Sequence, residues 1–124
     1  MSAPVGPETL DRLKEAAGPE AAGKLDRAPT LVVASAVLSG DPEQDEEDLH
    51  ATAVATYILL LGAHARGLAG YWRTPAVLRT PEGRAAVGLA ENERFVGLVH
   101  LGEGRQGKEP PERAAVEDFV GWLS

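Results

Sequence analysis

The sequence predicts one domain of mixed helix and strand covering residues 1–124. A chain of 124 residues suits a single compact unit. Segments of strand character are interleaved with segments of helical period along its whole length. One helix, around "AVATYILLLGA", is apolar on nearly every side. Such a helix asks for cover all round, from its own chain or from a partner's.

Composition narrows the function classes. Hydrophobic residues make up 44% and charged residues 25%, so a core can form. Aromatics are only 5%, and Ala, Val and Leu must build most of that core. A net charge of −7 argues against general binding to nucleic acid or to a membrane surface, since both favour a basic face. The absence of cysteine excludes disulfides, thiol nucleophiles and Cys-ligated metal sites. The opening "MSAPVGPETL" has no basic-then-apolar leader, and no apolar run approaches the ~20 residues of a membrane span. The expected location is cytoplasmic.

The elements follow in order. "PETLDRLKEAAG" reads as a short helix with Leu10, Leu13 and Ala17 at helical spacing, stopped by Gly18. "PEAAGKL" adds a further turn. "APTLVVASAVLSG" is a buried strand bracketed by Pro and Gly. "DPEQDEEDLH", with six acids in eight residues, is a loop that becomes a helix N-terminus, where acids complement the dipole. The long helix is expected over about residues 48–66, with Gly67 at its C′ position and Leu68 as the hydrophobic closure. "AGYWRT" is a strand. Thr80 caps a short helix that has Pro81 at its first position. "RFVGLVHLG" is the last strand. "PPERAAVEDFVGWL" is expected as an amphipathic helix with Ala115, Phe119 and Trp122 on one face.

Several candidate motifs fail a physical test. "GEGRQG" fits G-x-G-x-x-G and, extended, nearly fits a P-loop. Both motifs need a helix to open at once beneath the phosphate. Pro110 and Pro111 oppose that, and Glu109 stands where a Mg²⁺-binding hydroxyl belongs. The acidic run lacks the turn glycine and alternating ligands of an oxygen-ligand loop. His50, His64 and His100 show no metal-ligand spacing and read as surface or satisfied packing.

The order of "ILLLGAHARGLAG", "YWRTP", "VGLAENE" and "RFVGLVHLG" resembles the nitroreductase family of flavoproteins. That family's recurring text runs like "LLLAAHALGLG", "SVWRTG", "LGLPE" and "VVGFLHLG". "RAPTLVVASA" upstream and "PPERAAVEDFV" downstream extend the likeness to about residues 25–120. The resemblance implies an α+β fold, a nitroreductase-like central sheet flanked by helices with a long buried central helix. It further implies an intertwined dimer with FMN at the interface. "YWRT" then borders the cofactor, so Tyr71, Trp72, Arg73 and Thr74 are its expected contacts. Arg113 matches a family phosphate contact, with Arg105 and Lys108 nearby.

The chain departs from the pattern in places. The family's first two helices and strand, with an Arg-rich phosphate clamp, have no match before Leu25, so the chain is expected to be an N-terminally truncated form. Tyr57 and Ile58 stand where the family often has Gln-Asn, and Pro75 replaces a Gly. Two functions are implied. One is an FMN-dependent oxidoreductase taking hydride from NAD(P)H or a substrate, as a homodimer. The other is a small half-site or non-catalytic subunit completing an FMN site in a heterodimer with a full-length nitroreductase-like partner.

Overall fold

A computed structural model describes residues 2–105, 107 and 109–123 of the chain. Four strands form one sheet in the order β1-β2-β4-β3, each pair antiparallel. They are β1 (Ser2–Pro4), β2 (Thr30–Val37), β3 (Ala69–Arg73) and β4 (Glu93–Gly102). The helices are α1 (Pro7–Ala17), α2 (Pro19–Ala22), α3 (Pro42–His64) and α4 (Pro81–Ala86). Short 3₁₀ turns cover Gly23–Asp26, Ala76–Arg79 and Val116–Asp118. β1 has no counterpart in the sequence reading. Its three residues pair with Val32, Val33 and Ala34, an edge too short for a periodic signal.

Alternation along β2 and β4 gives the sheet two apolar faces. Leu31, Val33 and Leu98 join Leu13 of α1, Leu25, Val77, Leu78 and Ala86 of α4 in the main core. Val32, Ala34 and Val99 face the other way, toward Thr52, Thr56 and Leu59 of α3. A bulge keeps this pattern in register. Ala34 pairs with Gly97 and Ser35 with Phe95, so Val96 is the extra residue. The parity of β4 flips there, and Phe95 and Leu98 both pack toward the main core. Trp72 answers the bulge: its indole lies across Gly97, and its Nε1–H donates to the Val96 carbonyl at 3.3 Å.

The acidic run is a helix start, as expected, but α3 begins at Pro42 rather than at Asp48. Asp41 is the N-cap, and its side chain accepts from the Glu43 and Gln44 amides. The Asp45 carboxylate accepts from the Ser39 amide and hydroxyl and from the Gly40 amide. The Ser39 amide bond, foremost among these, holds Asp45 below its ordinary pKa. Among the described residues no group of His, Asp and Glu is placed to hold a metal. At the other end Gly67 has φ 76°, its amide reaches the His64 carbonyl, and the Leu68 amide reaches that of Ala63. These are the two bonds of a Schellman ending.

Two expectations change. The chain itself does not bury α3 all round: only Thr56 and Ala63 are buried, and Val54, Tyr57, Ile58 and Leu61 form an exposed apolar stripe at i, i+3, i+4, i+7. Of the two sources of cover the sequence allowed, the single chain supplies only one side. The expected C-terminal helix is also absent. Among the described residues past Pro110 only the Val116–Asp118 turn forms, and Trp122 is 93% exposed. A short amphipathic segment gains helical stability mainly by burying its apolar face, and here Phe119 and Trp122 stay exposed.

Glycines supply a direct test of the packing. A Cβ on Gly83 would run into the Val77 backbone carbonyl, so α4 can approach its neighbouring turn only through a glycine. Gly62, inside α3, has only the tip of Arg66 within van der Waals range, at 3.8 Å. Gly83→Ala is expected to lower the unfolding free energy by about 1–3 kcal/mol through overpacking. Gly62→Ala is expected to raise it by about 0.5–1 kcal/mol through helix propensity. Urea unfolding of both variants checks the pair, and equal effects of one sign would contradict this packing.

Candidate functional site

The site grows from one pairing. β3 and β4 place Tyr71 opposite His100 and Arg73 opposite Leu98. Tyr71, Arg73 and His100 therefore share the sheet face that carries Leu31, the β2 partner of His100. The Tyr71 and His100 rings are 6.5 Å apart between centroids and tilted by 55°. His100 is 4% exposed, and neither Nδ1 nor Nε2 has a hydrogen-bond partner among the described residues. Native buried polar atoms are nearly always satisfied. Here both ring nitrogens are buried and unpartnered, on a side chain that borders a void.

That space is a cleft of ≈ 660 Å³ at the end of the sheet. Tyr71 and His100 border it from the strands, and Arg27 from the segment before β2. Arg105 and Glu103 border it from the chain after β4. A second cavity of ≈ 350 Å³, lined by Arg73, Pro75 and Lys24, also reaches His100. The ring thus divides two voids on the core side of the sheet. Burial depresses the His100 pKa, and the Arg73 and Arg27 guanidinium charges lower it further. The imidazole is neutral at pH 7, with one nitrogen as donor and the other as acceptor.

A different buried polar pair serves the scaffold. The Glu93 carboxylate accepts from the Ala90 amide at 2.8 Å and from the Ser35 hydroxyl at 2.8 Å. The Ala90 bond, then that of Ser35, holds its pKa below the ordinary carboxylate range. Arg84 closes the same loop by donating to the Ala90 and Glu93 carbonyls. The segment leading into β4 is therefore fixed, and with it the placing of His100 seven residues on.

The expected site residues separate. Tyr71 and Arg105 border the larger cleft, and Arg73 the smaller cavity. Trp72 faces the opposite side of the sheet and is engaged with the bulge. Thr74 is exposed just past β3 and lines neither void. Arg113 is exposed in the C-terminal segment and lines neither. Lys108 lies outside the described residues. His50 and His64 are on the surface, but His100 is not the satisfied packing histidine that was expected. "GEGRQG" leads into no helix among the described residues that follow it, in keeping with the rejection of both phosphate motifs. His100 and Arg27 escaped the sequence reading. The available signal was a lone titratable residue inside the apolar run "VGLVHLG".

The His100 environment predicts a pH dependence of stability. The folded-state pKa lies below the ordinary 6.5. As pH falls through that ordinary value the unfolded chain takes up a proton that the folded chain refuses, so stability falls. Urea midpoints measured from pH 8 to 5.5 are expected to drop toward the acid side, and less steeply in His100→Gln. A variant with the same slope as the parent would contradict the assignment.

No protein-family model matches the chain, and no curated protein sequence matches it. Solved structures do. A nitroreductase-like family protein from Bacillus cereus superposes with a TM-score of 0.83 at 20% identity, covering 99% of this chain and 72% of its own. An FMN-dependent nitroreductase from Clostridium difficile gives 0.69 at 17% identity, with 98% and 73% covered. The NADPH:FMN oxidoreductase from Vibrio harveyi, solved with NAD⁺, gives 0.71 at 20% identity, with 98% and 57% covered. Almost every residue of the chain is thus accounted for by one known arrangement: the chain has the nitroreductase-like fold.

Proposed function

We propose that the chain is an FMN-dependent oxidoreductase of the nitroreductase type, with the cofactor seated in the cleft beside His100. One observation carries this reading: a buried imidazole with two open hydrogen-bonding positions borders a cleft of small-ligand size. The donor set suits a flavin nucleotide. Tyr71 offers an aromatic surface, His100 a neutral donor and acceptor, and Arg27 and Arg105 positive charge. The FMN-dependent enzyme from Clostridium difficile and the NADPH:FMN oxidoreductase from Vibrio harveyi support the choice of cofactor and of NAD(P)H as donor. Bound FMN would supply the hydride and electron chemistry itself. The chain's own part is to orient that group, to keep one proton on the His100 ring, and to hold water off with Tyr71. A nitroaromatic, a quinone or a similar acceptor would take the electrons.

The exposed stripe on α3 supports a partner, either a second copy or a nitroreductase-like subunit. Ile58 is 60% and Leu61 50% exposed, and Phe119 and Trp122 add further uncovered apolar surface. Exposed apolar area of this kind marks an interface. The same observation favours a second reading, in which the chain is a half-site subunit in a heterodimer. In either case the protein acts in the cytoplasm; among the described residues no helix is long and apolar enough to cross a membrane.

Gel filtration of the chain purified alone, followed by an absorbance spectrum, tests the first reading; a retained flavin band is expected. Flavin retained only after co-expression with a nitroreductase-like partner would favour the subunit reading, and none in either case would contradict both. In sedimentation the parent is expected to associate at micromolar concentration. Ile58→Glu combined with Leu61→Glu is expected to give a folded monomer, and a parent that is already monomeric would contradict the interface.

A further inference from the structure

The smaller cavity that reaches His100, of ≈ 350 Å³, differs in chemistry from the cleft. Its walls are mostly carbon: Ala16 and Ala17 at the end of α1, Leu25, and Val77 in the turn after β3. Among the described residues no Asp or Glu lines it, although the chain carries 19 acids against 12 lysines and arginines. Its polar side chains are Lys24, Arg73, Thr80 and His100. Thr80 is already committed, since its hydroxyl donates to the Val77 carbonyl and accepts from the Gly83 amide. Lys24 is exposed and Arg73 half-buried, and among the described residues neither makes a hydrogen bond or an ion pair.

The sheet register brings Arg73 to the histidine. Arg73 lies two residues along β3 from Tyr71, the partner of His100, and on the same face. A long side chain in that diagonal position can meet the ring, and the Arg73 charge is one cause of the lowered His100 pKa. The resemblance gives Arg73 to the cofactor, but the residue lines this cavity and not the cleft. His100 is more than nine-tenths buried with both ring nitrogens unpartnered among the described residues. The volume falls at the small end of the range for ligand pockets, about 300–1,000 Å³. One guanidinium fork satisfies both oxygens of a carboxylate. A phosphate would turn its remaining oxygens against alanine and leucine, which costs free energy. We infer that this cavity binds a small monocarboxylic acid with a compact apolar body, its carboxylate on Arg73 and His100 and its carbon body against Ala17, Leu25 and Val77. Lys24 adds positive charge from the solvent side. This site lies outside the flavin reading and does not depend on a cofactor in the cleft.

Benzoate, neutral benzamide and inorganic phosphate, each titrated into the full chain without flavin, test it. Binding is read by calorimetry and by the imidazole nitrogen signals in NMR. Benzoate is expected to bind at least about tenfold more tightly than benzamide, the equivalent of one charge-assisted bond, and more tightly than phosphate. It is expected to shift the His100 signals and leave those of His50 and His64 in place. Arg73→Gln is expected to weaken benzoate about tenfold. Arg105→Ala, which alters the cleft alone, is expected to leave benzoate binding unchanged. Ala21→Leu places extra carbon on the cavity wall and is expected to abolish benzoate binding, so the site is tested even if Arg73→Gln fails to fold. Absence of benzoate binding, equal affinities for benzoate and benzamide, or tighter binding of phosphate would overturn the site. So would benzoate binding that weakens in Arg105→Ala and not in Arg73→Gln. None of these outcomes bears on flavin retention, which tests the cleft separately.

Discussion

The pairing of β2 with β4 is the constraint on which the rest of the structure depends. Eight positions are matched, from Thr30 with Leu101 to Val37 with Glu93, around a single bulge. A slip of one residue would exchange the two faces of the sheet. Leu31, Val33 and Leu98 would then leave the α1 and α4 core, and His100 would turn toward α3. The bulge at Val96 is what allows Phe95 and Leu98 to face the same way, and the Trp72 indole satisfies the carbonyl that the bulge exposes. The aromatic most prominent in "YWRT" therefore serves the sheet. Its neighbour Tyr71 is the one left to border the cleft.

The two sheet faces do different work. On the α1 and α4 side the core is closed by residues such as Leu13 and Leu78, which are fully buried. Where that core thins out at the end of the sheet, it leaves His100 between two voids. On the α3 side the helix covers the sheet with Thr52, Thr56 and Leu59 and turns its bulkier apolar residues outward. The chain has built half an interface and half a core with the same helix. The cleft beside His100 and the exposed α3 stripe lie on opposite faces of the sheet.

Much of this was legible in the chain. The β2 and β4 runs are β-branched and bracketed by turn residues, Thr80-Pro81 is a cap written in two letters, and Gly67 stops α3 by its positive φ. The start of α3 was also written, as Asp41-Pro42, but the density of acids after it masked the cap. The C-terminal helix was over-read because a periodic apolar pattern states what a segment could bury and not whether a surface is there to receive it. The site was the least legible part. Tyr71 and Arg105 could be named from a resemblance, but the cleft depends on Arg27 and His100 lining it with them from separate segments of the chain, and no local pattern encodes that. His100 became visible as a candidate only once its ring was seen to be buried without partners.

The most direct test is nitrogen NMR of the imidazoles in chain carrying labelled histidine, recorded while FMN is added. His50 and His64 lie on the surface and serve as internal references. The account predicts that His100 starts as a neutral ring and that its nitrogen signals alone shift as the flavin saturates. Flavin binding that left the His100 signals in place, or moved those of His50 and His64 instead, would contradict the claim that the cleft beside His100 is the functional site.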